Sequence, residues 1–260
     1  MVLYYLSHPM ITNLIRIVRD LPKWVAQRGP TYLMPQLPIS WPAFALGIGI
    51  DRTWYLLDHW LVKHIISPLT LLMAILIEVV IILILVGLLR WQGVGYQAIG
   101  LSTDRRIINR EVLVGLGFSA LYIAAFMFNN TLWGAPPEVS WFLKLVRNFS
   151  YMYALDIARW VGELFVKAFF VGIYEEIVFR GWVLTFLLTR WGVGEKALAT
   201  SALFFGLTHI HMGWWAALVT TMFGYIFGLL YVWRKNLVVP IILHILWNWA
   251  VWLGLLGRPS

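Results

Sequence analysis

Between Ile66 and Leu89 the chain reads ISPLTLLMAILIEVVIILILVGLL, with Glu78 as its single charge. A run this apolar has no side chains to hydrogen-bond its own backbone, and in lipid it has no water either. Every N–H and C=O must then be satisfied inside the segment, which leaves the α-helix. At about 1.5 Å per residue the run is long enough to cross a hydrocarbon core of about 30 Å.

The rest of the chain follows the same logic. The protein has 260 residues, 61% hydrophobic and 12% charged, with a mean hydropathy of +0.78, outside the range of soluble globular domains. Sixteen tryptophans and eleven tyrosines, many flanking apolar runs, suit the two water interfaces of a bilayer. A net charge of +8 raises the question of nucleic acid. The bases, however, are scattered over short connectors (Arg90, Arg105, Arg106, Arg110, Arg190, Lys196, Arg234, Lys235), as topology signals and headgroup contacts are. No nucleic-acid partner is expected. The absence of cysteine removes disulfides, thiolate metal sites and cysteine nucleophiles.

Further spans are expected at 112–128, 168–188, 197–209, 214–233 and 237–256. Together with the first run they make six crossings of an all-α, polytopic membrane protein, and eight if the amphipathic stretches also insert. No signal peptide is expected: Val2–Leu6 is short and lacks a small-residue cleavage site. Ile11, Leu14, Ile15, Val18 and Leu21 recur at helical spacing, with Arg16, Arg19 and Lys23 between them. This pattern fits an interfacial helix and, equally, a helix packed on the protein itself. A proline-rich linker is expected over 30–42. An interfacial or re-entrant stretch is expected over 43–64, where Asp51, Arg52, Asp58, His59 and Lys63 interrupt the apolar residues. A surface loop over 90–111 and an amphipathic stretch over 141–167 follow.

The positive-inside rule puts the connectors 90–111, 190–196 and 234–236 on the cytoplasmic side. The basic N-terminus then falls on the other side, which points to one more crossing. The expected organisation is an N-terminal region, 1–110, and a membrane core, 111–260, forming one integrated domain of a multi-pass cell-membrane protein.

Three polar clusters stand in these apolar surroundings. The first is Glu175-Glu176-Ile-Val-Phe-Arg180, the second Phe205-Gly-Leu-Thr-His209, and the third His244-Ile-Leu-Trp-Asn248. A carboxylate at bilayer depth costs about 2.5 kcal/mol or more, so two adjacent ones imply use. On an α-helix Glu175 and Glu176 point about 100° apart. Glu176 can pair with Arg180 one turn on, leaving Glu175 for the interior. His244 and Asn248 share a face. A carboxylate that activates water, with donors for an oxyanion, is what amide hydrolysis requires.

Each cluster also has a plainer explanation. The first could be an interhelical salt bridge, and His209 a histidine satisfied by a backbone carbonyl. His244 with Asn248 could be polar glue between helices. His211 is read as structural outright. Gly224 and Gly228 form a GxxxG explained by close packing, and Trp247 and Trp249 are packing or interface residues. It is the ordered trio that favours a site.

The trio resembles the CPBP intramembrane proteases, also called Abi proteins, which include CAAX prenyl endopeptidases, over about residues 155–256. The resemblance implies that Glu175 and His209 hold and activate the hydrolytic water. His244 and Asn248 would stabilise the oxyanion, while Glu176 and Arg180 support the local helix pairing. It implies a peptide or protein substrate, lipid-modified in one branch of the family, and contact with membrane lipids. It leaves zinc open, with Glu175, His209 and His244 as the ligand set, although the HExxH spacing of zincins is missing. The metal-free route is the favoured one. A non-proteolytic scaffold or immunity-type protein and an ion-coupled transporter using Glu78, Glu175 and Glu176 are the competing readings.

Overall fold

The computed structural model describes residues 8–29, 34–64, 68–132, 162 and 168–252. The stretch 141–167 and the end of the last expected span lie largely outside the described residues. Among the described residues the protein is helical, without strands. In order they form α1 (His8–Arg28), α2 (Trp41–His64), α3 (Pro68–Trp91), a 3-10 turn (Tyr96–Ile99) and α4 (Arg105–Leu132). Next come α5 (Ala168–Glu176), a π-helical segment (Ile177–Leu184), α6 (Thr185–Trp191), α7 (Glu195–Thr208), a 3-10 turn (Ile210–Met212), α8 (Trp214–Arg234) and α9 (Val238–Trp252).

Among the described residues, three helical stretches are long and apolar enough to cross a membrane: Leu72–Trp91, Arg105–Ala125 and Trp214–Arg234. The count of six to eight is therefore reached only in part. α7 has 14 residues, too few for a span of about 20. The run 168–191 is long enough but carries Glu175, Glu176 and Arg180 at its centre. Two boundaries also move. The expected loop over 90–111 ends early, because α4 already begins at Arg105. The expected linker ends at Ser40, since Pro42 stands in the first turn of α2, where its missing N–H removes no helical bond.

Beside a buried apolar core, large apolar side chains also stand on the surface. Leu72, Leu76, Val80 and Leu83 form an exposed stripe on α3, and Leu83 is 63% exposed. Asp51, Glu111, Glu176 and Arg180 are buried. Such a surface is costly in water and neutral against lipid tails. Trp91 at the end of α3, and Trp214 and Trp215 at the start of α8, are exposed, as aromatics at a bilayer interface are. Arg90, Arg190 and Arg234 each stand in the last turn of their helix, where a cation faces the negative end of the helix dipole.

The chain divides into two compact units. One comprises residues 1–39, 94–102 and 178–237, the other 40–93, 103–177 and 238–260. In the first, α7 and α8 pack closely, with α1 against both. A Cβ on Gly224 would lie 3.1 Å from the Ala202 Cα, so the GxxxG glycine serves close packing. Gly100, at φ 82°, lets its backbone pass Tyr231 and accept a hydrogen bond from the Leu237 N–H at 2.9 Å. In the second unit α9 packs on α4 and α5, and α3 on α2 and α5.

Candidate active site

Gly172, one turn before the two glutamates, sets how close α5 can come to α9. A Cβ there would lie 2.8 Å from Ile245 Cγ1 and 3.2 Å from the Ile245 backbone nitrogen. The missing side chain lets the two backbones approach, and this brings the glutamates against His244, the neighbour of Ile245. Gly115 does the same for α4, where a Cβ would meet Ile242 at 2.9 Å.

Both glutamates reach one imidazole. His244 Nδ1 lies 2.7 Å from Glu176 Oε1, and His244 Nε2 lies 3.5 Å from Glu175 Oε2. Glu176 and His244 are buried, while the Glu175 side chain keeps 15% of its surface accessible. The angular separation of adjacent helical residues is thus accommodated by the two edges of a single ring. If the Nδ1–H is donated to Glu176, Nε2 is the free edge beside Glu175; protonated, the ring donates from both nitrogens. Asn248, one turn along α9, donates Nδ2–H to the Ala168 carbonyl at 3.3 Å. Trp247 packs on Tyr122 with ring centroids 5.1 Å apart, in line with its reading as a packing residue.

Beside Glu175 lies a pair that sequence reasoning passed over. Asp51, fully buried on α2, accepts the hydroxyl hydrogen of Tyr174 and is paired with Arg52. In sequence Asp51 registers only as an interruption of an apolar stretch. The available signal was the adjacent Asp-Arg pair, which can enter an apolar environment because each charge satisfies the other.

The other unit holds Arg180 and His209. Arg180 is buried in the π-helical segment, donates Nη2–H to the Gly224 carbonyl at 3.2 Å, and lies over the rings of Phe205 and Phe227 at 4.6 and 5.2 Å. Segments of this helix type are frequent at functional sites, and nothing in the apolar spacing announced one. His209 ends α7. Its Nδ1 lies 3.0 Å from the Phe205 carbonyl and 3.1 Å from Thr208 Oγ1. A bond from Nδ1–H to that carbonyl leaves Nε2 as the acceptor. His211 is exposed and its Nδ1 meets the Thr208 carbonyl at 3.0 Å, which agrees with a structural role.

Among the described residues, no three His, Cys, Asp or Glu side chains are grouped so as to hold a metal ion. Of the zinc set that the resemblance implies, Glu175 and His244 lie in one unit and His209 in the other, and no step below runs through a metal.

Fold and site together define an integral membrane protein, helical over its described residues, with the buried Glu176 and the partly accessible Glu175 held against one imidazole. Residues 157–250 match the family model of type II CAAX prenyl endopeptidases, Rce1-like, consistent with the CPBP family. The matched stretch contains all three motifs and supports a CAAX-type intramembrane protease in general terms. Neither a curated protein nor a solved structure matches the chain.

Proposed function

We propose that the protein is an intramembrane endopeptidase that hydrolyses a peptide bond near the membrane surface with a water molecule activated by glutamate and histidine. The observation that carries this reading is the His244 imidazole set between the buried Glu176 and the more accessible Glu175.

Glu175 takes a proton from water, and the hydroxide adds to the scissile carbonyl. His209 supports this step, a role that comes from the resemblance alone. The oxyanion accepts hydrogen bonds from His244 Nε2–H and Asn248 Nδ2–H. Glu176 on Nδ1 fixes the orientation of the ring. The C–N bond then breaks, and Glu175 returns its proton to the leaving amine. Low polarity around the site strengthens each of these charge interactions. Arg180 supports the helix that carries the glutamates.

The substrate is a peptide or protein segment at the membrane, and the description of the matching family makes prenylated CAAX peptides the first to try. Purified protein and its Glu175→Gln variant, each with and without a chelator, are compared on such peptides. Cleavage by the native chain that is lost in the variant and indifferent to the chelator is the expected result. Cleavage abolished by the chelator would overturn the metal-free route.

A further inference from the structure

Within the first unit, α1 and α8 enclose a groove of about 510 Å3, lined by Trp24 and Arg28 of α1 and by Ile226, Leu229, Leu230 and Trp233 of α8. Its volume lies within the range of small-molecule pockets. α8 is one of the candidate spans and ends at Arg234. From Trp233 back to Ile226 the helix descends about 10 Å into the span at 1.5 Å per residue. The groove therefore has a polarity. Its floor is aliphatic, and its rim carries two tryptophans and the exposed Arg28, whose guanidinium lies 3.9 Å from the centre of the Trp24 ring.

Among the described residues that line the groove, Arg28 alone carries a charge. Asp20, the only acid on α1, hydrogen-bonds to Arg19 at 3.1 Å, which holds its carboxyl below the ordinary carboxylate range. Arg16, Lys23 and Arg28 remain as cations on the same helix. An apolar trough that opens under a cationic, tryptophan-flanked rim at the end of a membrane span complements a molecule with one greasy and one anionic end.

We propose that this groove binds one acidic phospholipid, an acyl chain lying over Ile226, Leu229 and Leu230 and the phosphate meeting Arg28. This inference is independent of the proposed protease activity. The test is native mass spectrometry of the full chain in detergent with equal amounts of phosphatidylglycerol and phosphatidylcholine. Phosphatidylglycerol should be retained in preference, and Arg28→Glu should weaken its retention about tenfold or more. Lys23→Glu makes the same charge change outside the groove and should have little effect. Leu230→Trp, which fills the floor, should lose the lipid while leaving the circular dichroism unchanged. Equal retention of the two lipids, Arg28→Glu behaving like Lys23→Glu, or a lipid-free dimer would each overturn the assignment.

Discussion

His244 is the residue on which the chemistry turns, because both of its nitrogens face carboxylates. Replacing Glu176 by Gln keeps the shape but removes the carboxylate that holds the ring at Nδ1. Activity should fall about 10²-fold or more, read as kcat with little change in KM. His244→Ala or Asn248→Ala should lose a comparable amount. His209→Ala should also abolish cleavage, whereas His211→Ala, at an exposed ring, should leave it near the native rate; the two variants are compared in one peptide assay. The histidines and glutamates were legible because polar residues in apolar spans announce themselves. Which nitrogen meets which carboxylate was not, since it depends on how α5 and α9 approach. Asp51 registers in sequence only as an interruption of an interfacial or re-entrant stretch, because its partner Tyr174 is 123 residues away and is brought to it by the fold.

At the scale of elements, the closest control on the site is Gly172. Gly172→Ala should force α5 and α9 apart, at a cost of about 1–3 kcal/mol, and lower activity with it. Gly117→Ala, on α4 where an added Cβ meets nothing within 4 Å, should change neither. Thermal unfolding in detergent and the peptide assay together check the pair. Helix positions were readable from hydropathy: the start of α8 falls on the expected residue. The π-helical segment was not, because its residues, IVFRGWVL, are nearly all apolar and leave no polar–apolar period to read. Buried Arg180 belongs to it, so the turn from Glu176 to Arg180 is wound differently from the α-helical spacing assumed in sequence.

For the whole molecule, the exposed leucines of α3 and α4 and the buried charges elsewhere define a protein that belongs in lipid. Alkaline carbonate washing should leave the chain in the membrane pellet, and release into the supernatant would contradict the burial pattern. Fold class was the most legible property, since composition alone excludes a water-soluble fold. The number of crossings was the least legible, because α7 and the charged run 168–191 combine apolar character with too little length or too much charge.

The most direct test of the central claim is cleavage of a quenched-fluorescence peptide library, prenylated members included, by the purified native protein and by Glu175→Gln. General-base loss should lower the rate about 10²–10⁴-fold while circular dichroism and thermal stability stay as they were. A folded Glu175→Gln protein that cleaves at the native rate would contradict the account.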